Sequence, residues 1–129
     1  MRKNFSTDVP WESTVGYSRA VLTGNQIEIS GTVSVLDGKA FGTGDAYAQT
    51  KRILEIIGEA LEHFGASYEN VVRTRIFVTD IAGTREAVGR AHGEVFAVIR
   101  PATSMVEVKA LIAPEYLVEI EATAFLDKD

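Results

Sequence analysis

The chain has 129 residues, 46% hydrophobic and 24% charged, a balance ordinary for one globular domain and foreign to disordered or fibrous chains. Cysteine is absent, which excludes disulfides, thiolate catalysis and cysteine-ligated metals. The net charge of −5, from 13 Lys+Arg against 18 Asp+Glu, sets the overall field against a nucleic-acid backbone.

No run approaches the roughly 18 consecutive apolar residues of a membrane span. Arg2 and Lys3 are followed by no apolar stretch of a secretory signal. The expectation is a cytoplasmic protein with no membrane and no nucleic acid among its partners. Two histidines, His63 and His92, and the lack of an Asp/Asn-rich loop at ligand spacing predict no metal.

In chain order, Ser18–Leu22 and Gln26–Ser30 alternate and are joined by Thr23-Gly24-Asn25, which predicts a hairpin. The second run continues through Gly31 toward Val35, and Asp37-Gly38 is the next turn signal. Asp45 reads as an N-cap. Ile53, Ile57, Leu61 and Phe64 keep helical spacing, so a helix is predicted from Asp45 to Phe64, with Gly65 as its stop. Val71–Val78 is a strand by its β-branched alternation. Thr84 is the predicted cap of a second helix with the stripe Val88, Ala91, Val95 and Ile99, ended at Arg100-Pro101. Thr103–Val108 and Leu117–Leu126 are the last two strands. The fold class is α+β: one domain over 1–129, with a mostly antiparallel sheet and two helices on one face.

Period-two alternation splits each strand into faces. Val118, Ile120, Ala122 and Ala124 form one set, Glu119, Glu121, Thr123 and Phe125 the other. Val72, Thr74, Ile76 and Val78 oppose Val71, Arg73, Arg75 and Phe77. Ile27, Ile29, Gly31 and Val33 oppose Glu28, Ser30, Thr32 and Ser34; Ser104, Val106 and Val108 oppose Thr103, Met105 and Glu107. The apolar sets are expected under the helices. The other face mixes Glu28, Glu107, Glu119, Glu121, Arg73 and Arg75 with Val71, Phe77, Met105 and Phe125. It is expected to meet other subunits, with polar clefts between protomers. Phe5 and Trp11 are expected to pin the N-terminal arm to the body.

Six stretches then resemble the Rid (reactive intermediate deaminase, YjgF-like) family: GYSRAV (16–21), ISGTV (29–33), QTKRILEIIGEALEHFGAS (49–67), VVRTRIFVTDI (71–81), RPATSMVEVKAL (100–111) and VEIEATA (118–124). The resemblance implies a chorismate-mutase-like fold and a homotrimer with ligand clefts at subunit interfaces. It also implies hydrolysis of imines or enamines such as 2-aminoacrylate to a keto acid and ammonia, with no cofactor. Residue by residue, it places Glu119 as the catalytic glutamate that activates water, and Tyr17, Ser30 and Gly31 around the ligand. Thr103 stands where deaminating members carry an arginine that grips the substrate carboxylate through paired hydrogen bonds, which a hydroxyl cannot supply. Thr103 and Met105 make the cleft less suited to anions.

The reading is a deaminase-like hydrolase with altered substrate range, not efficient on 2-aminoacrylate, with Thr103, Met105, Arg75 and His92 among the ligand-binding candidates. Arg75 or Arg19 could replace the missing cation, or could simply pair with Glu107, Glu119 or Glu121. His92 could serve as acid or base, or simply flank the core. Alternatives are a non-catalytic metabolite-binding or regulatory homotrimer and, third, a ribonuclease-like activity.

Overall fold

Alternating runs that cannot bury both faces alone pair into one sheet and bury a single face beneath helices. A computed structural model describes residues 1–7 and 9–127. The elements are β1 (Arg2–Phe5), β2 (Ala20–Thr23), β3 (Gln26–Thr32), β4 (Val35–Leu36), β5 (Lys39–Ala40), α1 (Ala46–His63), β6 (Val71–Val78), α2 (Ile81–Phe96), β7 (Ala102–Glu107) and β8 (Val118–Phe125). Six strands form one sheet in the order β1-β2-β3-β8-β6-β7, and β4 and β5 form a separate hairpin. All neighbours in the large sheet are antiparallel except β6 and β7. A parallel pair needs a crossover, which α2 supplies. Among the described residues no helix is long and apolar enough to cross a membrane.

The turns follow their chemistry. Gly24 (φ +59°) closes the β2–β3 hairpin, and Asp37 (φ +53°) with Gly38 (φ +77°) closes β4–β5. Positive φ at both central residues matches the right-handed twist of the strands it joins. The Asp45 side chain accepts from Ala48 N, as an N-cap does, and Gly65 lies beyond the end of α1. Ile53, Leu54, Ile57 and Leu61 of α1 pack with Ile27, Ile29, Ile76 and Ile120 of the sheet, all nearly inaccessible. Each such side chain contributes roughly 1.5–3 kcal/mol by leaving water.

Several expectations need correction. Asp80, not Thr84, caps α2: its side chain accepts from Gly83 N, while the Thr84 hydroxyl donates back to Asp80 O. The arm contains a strand, β1, beside β2. Phe5 stacks on His63 at 4.3 Å, but Trp11 is 41% exposed and does not pin the arm.

Two bulges invert the predicted faces. Between Ile29 and Thr32, β3 gains a residue on β8, so Thr32 and Ser34 are buried while Val33 is only partly covered. Between Val71 and Arg73, β6 gains a residue on β8, so Val71 is buried and Val72 exposed. β7 is also turned over. Its register sets Thr103 beside Thr74 and Met105 beside Ile76, on the helix side. Ser104 and Val106 therefore take the open side, and Glu107 accepts from Ile81 N at the start of α2.

Candidate functional site

Three polar clusters emerge, two of them holding most of the predicted site residues. The first forms around the β3 bulge. Arg19, just before β2, and Glu12, in a short π-helical turn (Glu12–Gly16), are 6% and 3% exposed. Their nearest atoms, Arg19 Nε and Glu12 Oε2, lie 3.5 Å apart. Glu12 also accepts from Thr7 N at 3.0 Å and Thr7 Oγ1 at 2.6 Å. Arg19 Nη1 donates to Gly31 O at 2.9 Å and Thr32 Oγ1 at 3.0 Å. Charges removed from water persist only when paired and hydrogen-bonded in this way. The Arg19 guanidinium also lies 5.6 Å from the centre of the Tyr17 ring. The Ser30 hydroxyl donates to Ser18 O at 2.6 Å, so toward a ligand it can only accept.

Glu119 on β8 faces this bulge. A Cβ at Gly31 would collide with Glu119 Oε2 and sit 3.1 Å from Glu119 Cδ, so only glycine leaves room for the carboxylate. Glu119 is half-buried, and no side chain among the described residues donates a hydrogen bond to it. Burial raises its pKa above the ordinary 4.5, the charge of Glu121 adds to the rise, and Arg19 opposes it. A partly desolvated carboxylate with a raised pKa is a stronger base than an ordinary one.

The second cluster lies at the β7 edge. Thr74 Oγ1 is 2.9 Å from His92 Nε2 and 2.8 Å from Thr103 Oγ1, and the Thr103 hydroxyl also reaches Pro101 O at 3.2 Å. The His92 ring lies 4.7 Å from that of Phe96. Burial lowers the His92 pKa below its ordinary value. Met105 packs against the core.

The third cluster covers the open face of the sheet. Arg75 pairs with Glu121 at 3.5 Å and reaches Thr123 Oγ1 at 3.5 Å; Thr123 donates to Glu28 at 2.8 Å. Arg73 donates to Ser104 at 2.9 Å. Val72, Val106 and Phe125 are exposed among these groups. Glu107 pairs with neither arginine, and Glu121 is the partner of Arg75.

The structure thus brings Tyr17, Ser30, Gly31 and Glu119 together at one end, and Thr103 and His92 together at the other. β8 and β6 separate β3 from β7, and Thr103 lies on the opposite face from Glu119. Glu12 and Thr74 are part of these clusters and were not singled out from sequence. The only signal for Thr74 is a hydroxyl in the apolar alternation of VVRTRIFV; Glu12 carries none, since a lone glutamate reads as solvated.

This fold is shared. A profile of the family described as Endoribonuclease L-PSP matches residues 8–126, and the chain belongs to that family. A RutC family protein of Pyrococcus abyssi is 33% identical over 110 residues, 84% of this chain and 85% of that protein. The crystal structure of Rv2704 from Mycobacterium tuberculosis, described as a member of the YjgF/YER057c/UK114 family, is 48% identical with a TM-score of 0.88, covering 98% of this chain and all of that one (100%). YyfA of Yersinia pestis, of the conserved Rid protein family, is 29% identical with a TM-score of 0.86, covering 98% and 100%. The α+β fold is therefore the chorismate-mutase-like fold of YjgF/Rid proteins.

Proposed function

We propose that the protein is a Rid-type hydrolase of small imines or enamines that carry no carboxylate, working in clefts between copies of itself as a homotrimer. The observation that carries this reading is the Glu119 carboxylate, half-buried, with no side-chain donor among the described residues, and seated where Gly31 has no side chain. Glu119 takes a proton from water as the water oxygen bonds to the C=N carbon. The imine nitrogen receives that proton; Glu119 then carries the hydroxyl proton of the resulting carbinolamine to the nitrogen as the C–N bond breaks, which leaves a carbonyl compound and ammonia. An enamine first takes a proton on carbon and gives one up from nitrogen to become the imine.

The need for a second copy comes from the distance between the clusters. Three strand spacings, roughly 14 Å, separate β3 from β7. Tyr17, Ser30 and Glu119 share a cleft with Thr103 and Met105 only if a neighbour brings its β7 edge to them. The exposed Val72, Val106 and Phe125 on the open face suit contact between copies. Thr103 stands where deaminating relatives present an arginine, so this cleft lacks the anchor for an amino-acid carboxylate. Arg75, paired with Glu121, and Arg19, paired with Glu12, are both engaged.

Family members are described as endoribonucleases. The net charge of −5 and an open face of mixed sign give no cationic track for phosphates.

The test compares two enzymatically generated substrates, 2-aminoacrylate and the imine released by a flavin amine oxidase from an alkylamine. Ammonia release is expected above buffer with the alkyl imine, little with 2-aminoacrylate, and none added by Glu119→Ala. Rates equal to buffer with both substrates would overturn the hydrolase reading in favour of a ligand-binding trimer.

A further inference from the structure

Thr74 is 1% exposed in the middle of β6, on a face it shares with Ile76 and Val78. Valine has nearly the same shape and would bury there without a polar atom, whereas an unpaired hydroxyl would cost stability. The hydroxyl is paired twice, with His92 Nε2 at 2.9 Å and Thr103 Oγ1 at 2.8 Å. It thus joins α2 to the edge strand β7 through the central part of the sheet.

Counting hydrogens fixes what Thr103 offers outward. Each hydroxyl carries one hydrogen, and Pro101 O, 3.2 Å from Thr103 Oγ1, can only accept. Thr103 donates to Pro101 O, so Thr74 donates to Thr103 and His92 Nε2–H donates to Thr74. The Thr103 hydrogen is thereby held at Pro101 O, and a lone pair is left to face outward. Burial of the ring favours its neutral form, which supplies this Nε2–H in one of its two tautomers.

We propose that Thr74 and His92 are positioning residues that hold the Thr103 hydroxyl as a hydrogen-bond acceptor, so that the β7 edge selects an uncharged ligand group bearing N–H, such as a neutral imine or primary amide, and turns away carboxylates. This rests on Thr103 lining the cleft described above, and it deepens that reading by assigning the ligand chemistry. A carboxylate has only lone pairs to set against the lone pair of Thr103. An N–H group has the missing hydrogen. The selectivity therefore comes from three neutral side chains.

The test needs no turnover. Propionamide and propionate, matched in shape, are titrated separately while the Thr103 backbone amide is followed by NMR. The His92 ring is followed by nitrogen NMR at neutral pH, with His63 as the internal reference. Propionamide is expected to shift Thr103 and propionate not. Thr103→Val should weaken propionamide about fivefold, the worth of one neutral hydrogen bond, and Thr103→Ser should retain it. Thr74→Val should move the His92 Nε2 signal and narrow the preference for amide over carboxylate.

Propionate shifting Thr103 as strongly as propionamide, or neither compound shifting it, would overturn the ligand assignment. An unchanged His92 ring in Thr74→Val would overturn the positioning chain. Failure of ammonia release with these NMR results intact would count against the hydrolase alone.

Discussion

Around Gly31 the polar groups are charged: a buried arginine, a buried glutamate and a second, half-buried glutamate meet at a bulge. Around Thr74 they are neutral: two hydroxyls and an imidazole join three elements of regular structure. The first arrangement suits moving a proton, because Glu119 is half-buried with a raised pKa and accepts from no side chain among the described residues. The second suits holding a hydrogen in place, because every inward valence of Thr103 is occupied. Charge is placed where proton transfer needs it, and at the other end a fixed lone pair serves recognition.

Four substitutions would sharpen or break that contrast. The largest effect is expected from Glu12→Ala, which strands the Arg19 charge away from water and releases Thr7. A loss of about 3–5 kcal/mol is expected in urea denaturation, as for other broken buried pairs. A loss below about 1 kcal/mol would show that water reaches Arg19 and that the charged end is less buried than described.

Gly31→Ala comes next. Its methyl collides with the far end of a flexible glutamate, so the fold can yield by moving Glu119. Stability should change little, while ammonia release falls at least tenfold, about 1.4 kcal/mol in the barrier. Unchanged turnover would separate Glu119 position from activity.

At the neutral end, Thr74→Val should stay within about 1 kcal/mol of the wild type by denaturation, since the two hydrogen bonds lost, to His92 and Thr103, are largely offset by an apolar group gained at a buried site. A loss as large as that of Glu12→Ala would mean that the hydroxyl chain is a structural pillar, not a means of orienting Thr103.

The smallest effect is expected from Glu119→Gln, and its sign follows from the raised pKa. The folded chain holds this proton more tightly than the unfolded chain. The contribution of Glu119 to stability is therefore full below its ordinary pKa of 4.5 and is lost as pH rises through the raised value. The variant should melt higher than the wild type at pH 7, and the gain should vanish near pH 4. A variant that melts lower at neutral pH would show that the carboxylate is stabilised by a partner.

Helix α1 was legible because Ile53, Ile57 and Leu61 recur at helical spacing, Asp45 caps it and Gly65 stops it, all within one stretch of chain. β6 was legible from its β-branched run, and the β2–β3 hairpin from its Gly-Asn turn. Orientation was not. Alternation divides a strand into two sets but does not say which set faces the helices when neither is strongly apolar. In β7 that is decided by the register of Thr103 on Thr74, a contact set outside the strand. The same limit applies to the site. Gly31 and Glu119 were named from sequence, but their contact depends on the bulge. The Glu12–Arg19 pair forms only when the π-helical turn folds back onto β3.

The two bulges have a consequence for insertions and deletions. β8 keeps strict alternation, while β3 and β6 each carry one residue more than it does over the paired stretch. Removing Ser30 would not merely shorten a strand. It would restore an unbroken alternation, with Gly31 opposite Glu121 and Thr32 still opposite Ile120, so Thr32 and Ser34 would keep facing the helices. What would be lost is the bulge itself, with the Ser30 hydrogen bonds to Ser18 O and Arg19 O that tie this stretch of β3 to the residues before β2. The extra residue works as a frame shift in side-chain direction, and the charged pocket lies just past the shift.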